Sequence, residues 1–420
     1  MPLSSKALAA DVSPAFQQEI LRLVGLPAIR SAFAGFISHE AQFAEWQQQL
    51  AKSPAPPFGE QLRSDWMLER FLELGLENVH TDEAANVFGV SPGKGNRFVA
   101  LSAHIDTVFP AGTPLNIRQQ GARLYGPGVS DNAAGVIAML AMVVSIRKFR
   151  IQHAAPILFV ANVGEEGEGD LRGMRQIFSE RRWLDSIASS LVLDGAGNDT
   201  IVAEALGSRR FEVIVRGPGG HSWSDFGAPN PIVVLARAIE LFRQTPLPMT
   251  PKTTFNIGVI RGGTSVNSIP ESASMRVDIR STSTAEIERV ERALRLALNT
   301  AIEDETRAMP LNDAQPRRAL GVSAEIVMIG NRPGGELPRD ARILQAVGSV
   351  DAYLSNVAHI QRASTDANIP LSLGREAIAI GGGGTGGGAH TLQEWFDCTG
   401  RDFGLRRILL TLLALAGVNE

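Results

Sequence analysis

His104 and Asp106 stand two residues apart at the end of the strand-like run Phe98-Val-Ala-Leu-Ser-Ala. On a strand that spacing puts both side chains on one face, which suits a ligand histidine beside a carboxylate that orients it. A second acid, Asp131, follows in Gly128-Val-Ser-Asp131-Asn132-Ala-Ala-Gly135, a glycine-rich corner ahead of the apolar run 136–144. The run Pro156-Ile-Leu-Phe-Val-Ala-Asn-Val163 then delivers Gly164-Glu165-Glu166-Gly167, and Ser190-Leu-Val-Leu delivers Asp194. Taken singly these have bland readings: a satisfied polar histidine, an Asp/Asn helix cap, a solvated acid pair. Adjacent glutamates at the end of a buried strand are costly unless a cation offsets them. Strand ends in open α/β sheets converge on a shared crevice. Strands ending in His/Asp, Glu/Glu and Asp therefore point together to a metal site.

Composition limits what such a site can be. The 420 residues are 44% hydrophobic and 20% charged, with a net charge of −4, a globular composition. That charge gives no electrostatic reason to expect nucleic acid or an anionic membrane surface. Cys398 is the only cysteine, so an intrachain disulfide and a cysteine-rich metal site are both excluded. Histidines and carboxylates must supply any ligands. The first 20 residues lack a continuous apolar segment and read as a helix lead-in rather than a signal peptide. The apolar run 408–418 is too short to span a bilayer. A cytoplasmic protein is the expectation.

The elements that must position these residues follow from periodicity and breakers. Helical spacing over 16–50, interrupted at Gly25-Leu-Pro27, is followed by a helix over 60–74 that stops at Gly75. Asn86-Val-Phe-Gly-Val and Phe98-Val-Ala-Leu-Ser predict neighbouring strands across the turn 91–96. An apolar helix is expected over 133–147. From Ser208 the texture changes. Arg210-Phe-Glu-Val-Ile-Val-Arg216 alternates like a half-exposed strand, and the pattern continues as β-α-β-β-α-β, a two-layer unit with its own core. The expected organisation is a catalytic domain in two parts, 1–206 and 333–420, with 207–332 inserted between them. The closing strand Ala377-Ile-Ala-Ile380 runs into Gly381-Gly-Gly-Gly-Thr-Gly-Gly-Gly388 and then His390. Too little chain follows for a dinucleotide-binding βαβ unit. The glycines are expected to let substrate or metal approach the backbone.

These motifs, in this order, resemble the M20 family of metallohydrolases, which includes peptidase T, carboxypeptidase G, acetylornithine deacetylase and aminoacylases. The likeness rests on Ser102-Ala-His104-Ile-Asp106, Gly128-Val-Ser-Asp131-Asn132, Gly164-Glu165-Glu166-Gly, Leu193-Asp194, Gly219-Gly-His221-Ser and Gly388-Ala-His390-Thr. The resemblance implies an α/β fold: a mostly parallel-sheet catalytic domain with an inserted βαββαβ, ferredoxin-like lid and dimerisation domain. It implies one or two divalent ions per subunit, zinc first and manganese or cobalt as alternatives. Asp131 would bridge the ions, with His104 and Asp194 on one and Glu166 and His390 on the other. Glu165 matches the general base, Asp106 the residue orienting His104, and His221 a histidine that reaches a substrate carbonyl, commonly across a dimer interface. Asn267 and Arg280 match substrate-contacting positions. At Asn368, after Ser364-Thr-Asp-Ala367, many relatives carry arginine.

The implied activity is hydrolysis of a C–N bond in a small peptide or N-acyl amino acid. The alternative is an aminohydrolase acting on a small aromatic amine acid such as 5-nitroanthranilate. The chemistry suits the residues. Two ions sharing a carboxylate lower the pKa of water, and a non-ligand carboxylate moves its proton. The inserted layout leaves a sheet edge uncovered, so a homodimer through that domain is expected.

Overall fold

The computed structural model of the chain describes residues 12–308 and 321–418. The reading of the first residues as a helix lead-in falls partly on 1–11, outside the described residues. Contacts divide the chain into two units, 1–205 with 335–420, and Leu206–Gly334.

The first unit is built on a sheet whose centre is parallel. Ile157–Asn162, Phe98–His104, Ile187–Leu193 and Glu376–Ile380 lie side by side in that order, each parallel to the next. Antiparallel strands flank them, Val87–Ser91 on one side and Thr200–Ala205 on the other. Ile157–Asn162 is buried at every residue, as a strand covered on both faces must be. Alternate residues feed opposite layers. Leu101, Ala103, Phe159 and Leu191 join a core formed with the helices Ala133–Lys148 and Arg401–Ala416. Ala100, Leu158 and Val160 face Leu171, Met174 and Ile369 on the other side. The helix Ala133–Lys148 buries every side chain from Ala133 to Ile146, which is why its sequence is apolar all round.

Two expectations change. Val87–Ser91 and Phe98–His104 are not neighbours, because Ile157–Asn162 lies between them. The linking turn packs against that strand's entry, where a Cβ on Gly93 would meet the backbone of Ala155 and Pro156 at 2.5–2.6 Å. The 16–50 segment also breaks a second time, giving the helices Pro14–Gly25, Pro27–Ser38 and Glu40–Lys52. Among the described residues no single helix is long and apolar enough to cross a membrane. The first two helices, bent by 73°, bury Ile20, Leu23, Ile29 and Phe36 in the core.

The second unit carries a four-stranded antiparallel sheet in the order Thr253–Gly262, Ser272–Ser281, Gly207–Arg216, Ser323–Arg332. Helices Pro231–Phe242 and Thr284–Ala308 connect the strands as β-α-β-β-α-β. Their apolar faces, among them Val234, Leu235, Val290 and Leu294, meet Phe211, Val213, Met275 and Val277 in a separate core. The outer strands Thr253–Gly262 and Ser323–Arg332 are the sheet's edges. A pair of short strands, Gly220–His221 and Ser268–Ile269, forms a ribbon beside it.

Candidate metal centre

The parallel strands end level with one another, His104 opposite Asn162 and Leu193 opposite Ile380. Their carboxyl ends therefore deliver His104, Glu165, Glu166 and Asp194 to one edge, with Asp131 arriving at the start of the helix Ala133–Lys148. Two clusters result. His104, Asp131 and Asp194 present ligand atoms within 4.8 Å of one another, and so do Asp131, Glu166 and His390. Asp131 belongs to both. Its Oδ1 lies 3.3 Å from His104 Nε2 and its Oδ2 lies 3.1 Å from His390 Nε2. On the far side of the first cluster Asp194 Oδ1 is 3.8 Å from His104 Nε2. On the second, Glu166 Oε1 is 3.0 Å from His390 Nε2.

Asp106 does more than stand behind His104. It is fully buried, and its Oδ1 is 3.5 Å from His104 Nδ1, an electrostatic distance rather than a good hydrogen bond. Its firm bonds go to the acid pair. Oδ1 accepts the Glu165 N–H at 3.0 Å and Oδ2 accepts the Glu166 N–H at 2.8 Å. One carboxylate thus registers the Phe98–His104 strand end against the loop that carries both glutamates.

Asn132 performs the matching task for Asp131. It occupies the helix N-cap position without a capping side-chain bond. Instead its Nδ2 donates to the carbonyls of Leu193 and His104 at 2.9 and 3.3 Å, while its Oδ1 accepts the Gly195 N–H at 2.9 Å. Two strand ends are tied through one amide. A Cβ on Gly135 would collide with that amide and with the Leu193 carbonyl, so the glycine in the motif makes room for it.

The electrostatics identify an excess of negative charge. Asp106, Asp131, Glu165, Glu166 and Asp194 face two histidines, and Glu165 and Glu166 are only 5% and 6% exposed. Burial alone would lower the His104 pKa, but the carboxylates of Asp106, Asp131 and Asp194 outweigh it and hold the ring well above its usual value. Hydrogen bonds to Asp131 and Glu166 push His390 up to about 10. Burial works against the ionised form of Asp131, yet the nearby His104 and His390 rings hold its pKa well below the ordinary carboxylate range. A divalent cation takes the place of the imidazole protons that otherwise compensate such carboxylates. Asp131 Oδ1 is moreover buried without a hydrogen-bond partner. The donor set, two imidazoles and three carboxylates with one shared, fits a pair of divalent ions.

Several supporting residues carry no motif of their own. Glu394 is fully buried and accepts the N–H groups of Gly128, Ser130 and Asp131 at 2.7–2.8 Å. Burial pushes its pKa up to about 7, against the lowering effect of those donors. Arg63, also buried, donates to the Ile105 carbonyl at 2.8 Å. Burial lowers its pKa to about 10, with Asp106 and Glu394 opposing the shift. Asp366 is buried and accepts from Asn162 Nδ2 at 2.6 Å. Burial raises its pKa to about 7, while His104 draws it down. Asn368 Oδ1 accepts the Thr365 N–H at 2.9 Å, so this side chain closes its own turn.

The glycine run serves a purpose other than the one expected. A Cβ on Gly381 would meet the Ala196 and Gly197 carbonyls, one on Gly382 the Ala134 carbonyl, and one on Gly383 the Arg401 carbonyl, at 2.5–2.8 Å. These glycines let protein backbone approach protein backbone, and Thr385–Gly387 pairs with Trp395–Asp397 as a strand. The space beside them is already filled by the chain.

In the second unit His221 and Asn267 come together. His221 pairs with Ser268 across the short ribbon, and the Ser222 N–H donates to the Asn267 carbonyl at 3.1 Å. Both side chains are exposed. His221 Nδ1 accepts the N–H groups of Trp223 and Ser224 at 3.2 and 3.4 Å, which places the neutral ring's proton on Nε2. Arg280 is not part of this group. It sits at the opposite end of the strand Ser272–Ser281, across from Ser208, with its Nε 2.6 Å from Asp278 Oδ2.

Comparison with known proteins identifies the family. A model of peptidase family M20/M25/M40 matches residues 100–413. Carboxypeptidase G2 of Pseudomonas sp. (strain RS-16) is 26% identical over 201 residues, covering 46% of this chain and 47% of that protein. The match thus spans about half the length of that curated relative. A tripeptidase from Staphylococcus aureus superposes with a TM-score of 0.71 at 22% identity, over 90% of this chain and 98% of that one. A dinuclear metal-binding peptidase from Bacillus subtilis superposes with a TM-score of 0.64 at 15% identity, over 91% and 99%. At those identities the two structures speak for the fold. The family model, spanning most of the chain and all the residues of both clusters, speaks for descent: the chain belongs to peptidase family M20/M25/M40.

Proposed function

We propose that the protein is a hydrolase of the amide bond in short peptides or N-acyl amino acids, using a pair of divalent ions. The observation that carries this reading is the division of Asp131, one oxygen in each of two three-residue ligand clusters. His104, Asp131 and Asp194 would hold one ion, and Asp131, Glu166 and His390 the other. When bound, such ions bring the pKa of water toward neutrality and polarise an acyl oxygen.

The chain's own groups do the rest. Glu165 takes the proton from the attacking water and returns it to the leaving nitrogen. Its backbone N–H is fixed by Asp106 Oδ1, and Glu165 itself belongs to neither ligand cluster. Asp106 also faces His104 Nδ1, which leaves Nε2 turned toward Asp131 and Asp194. His221, with its proton on Nε2, donates a hydrogen bond to the acyl oxygen as negative charge develops there. Asn267, on the same loop pair, contacts the substrate, and Arg280 contacts it separately. The working form is a homodimer through the inserted unit.

The test is metal-free enzyme reloaded with zinc, manganese or cobalt and offered di- and tripeptides and N-acyl amino acids, reading out free amine. Ion-dependent release of amine is expected. Activity equal in chelator-treated and reloaded protein contradicts the reading.

A further inference from the structure

The loop that carries Asp131 is held from below by a residue that no motif marks. Gly128 lies in the left-handed region, φ 72°, a conformation that suits glycine. There its N–H donates to Glu394 Oε2 at 2.8 Å. Two residues on, the Ser130 and Asp131 N–H groups both converge on Oε1 at 2.7 Å. The backbone joins in, since the Gly126 N–H donates to the Glu394 carbonyl at 2.9 Å. Glu394 itself sits on the turn that carries His390. The Thr391 N–H and Oγ1 both donate to the Gly388 carbonyl, and the Glu394 N–H donates to the Thr391 carbonyl at 3.2 Å. One turn therefore supplies a ligand to one cluster and clamps the backbone of the ligand that both clusters share.

We infer that Glu394 is a positioning residue: its carboxylate fixes the Gly128–Asp131 backbone against the His390 turn and so sets where Asp131 presents its two oxygens. The proposal rests on the dinuclear reading above. Oε2 accepts one N–H and Oε1 accepts two, so both carboxylate oxygens act as acceptors. A glutamine would retain one acceptor oxygen for Ser130 and Asp131 and set an amide N–H group against the Gly128 N–H. An alanine would orphan all three buried donors. The alternative is that Glu394 only stabilises the fold, like Glu60, which is equally buried and paired with Arg172 at 2.7 Å.

The experiment compares wild type, Glu394→Gln, Glu394→Ala and Glu60→Gln as purified full chains at pH 8. Each is stripped with chelator and titrated with zinc against a competing dye, with apo-protein unfolding recorded in parallel. Loss of an outer contact to a metal site costs roughly 10–100-fold in ion affinity. Expected is about tenfold weaker binding in Glu394→Gln and a larger loss in Glu394→Ala, with Glu60→Gln at the wild-type affinity whatever its unfolding temperature. Should Glu394→Ala not fold, Glu394→Gln decides alone. Folded Glu394→Gln that binds two ions within twofold of wild type overturns the positioning role. Equal weakening in Glu60→Gln overturns it too. Wild type that takes up fewer than two ions overturns the dinuclear reading itself, a separate outcome.

Discussion

The metal-ligand corner and the His221 loop are built on opposite plans. In the first, His104 and Asp106 are 1% and 0% exposed, and sheet register, Asn132 and Glu394 fix every ligand-bearing segment through buried hydrogen bonds. In the second, His221 stands in the open on a two-residue ribbon. It is organised by its own turn: the His221 N–H donates to Asp225 Oδ2 at 2.7 Å, and the Asp225 N–H donates back to the His221 carbonyl. The contrast is chemical. Carboxylates crowded for a cation need a rigid frame, because each unpaired charge inside it is expensive. In the role proposed for His221, a donor to the substrate oxygen needs only a defined tautomer and freedom to reach it.

The largest effect should come from the buried corner. Glu165→Gln keeps the shape of the side chain and removes the proposed base, so turnover is expected to fall roughly 10²–10⁴-fold with ion content unchanged. Steady-state kinetics with elemental analysis of the same sample measures both. Retained turnover would move the base elsewhere and undo the division of labour between Glu165 and Glu166.

His221→Ala comes next, at roughly 10²–10³-fold in kcat, the usual effect of losing one oxyanion donor. Ion affinity should not change, and that separation from Glu165 and from the ligands is what the comparison requires. If His221 serves a partner's site, mixing dissociated His221→Ala and Glu165→Gln subunits restores part of the wild-type activity. Mixed dimers no more active than either parent would put His221 in its own subunit's site. The smallest effect is expected from Asp225→Ala. Losing the bond to the His221 N–H is worth about 1 kcal/mol, a severalfold drop in kcat/KM. No change at all would mean that the turn is held without Asp225.

Which of these features could be read from sequence follows from how local they are. His104, Asp131, Glu166, Asp194 and His390, which make up the two clusters found among the described residues, each sit at a strand end or a glycine corner with a recognisable neighbourhood, as does Glu165. The inserted β-α-β-β-α-β unit is legible for the same reason, since alternation and helical spacing are local signals. Strand neighbours are not. Nothing in residues 87–104 says that Ile157–Asn162 will come between two strands joined by a short turn. Glu394, Asn132 and Asp366 are missed because their role lies in distant backbone groups: Glu394 reaches a loop 263–266 positions away. The one available hint is a glutamate four residues after His390, and nothing in the sequence says that Glu394 turns inward while residues 390–393 stay exposed. The glycines of 381–388 mislead in the other direction. Small residues signal close approach, but the sequence does not say to what.

The central claim is that Asp131 is shared, and ion counting tests it most directly. Wild type, His390→Ala and Asp131→Ala, each folded by circular dichroism, are equilibrated with excess zinc, desalted and assayed by elemental analysis. The account predicts two ions per wild-type subunit, one in His390→Ala, and loss from both positions in Asp131→Ala. A single ion in saturated wild type, or Asp131→Ala retaining as much metal as His390→Ala, would contradict it.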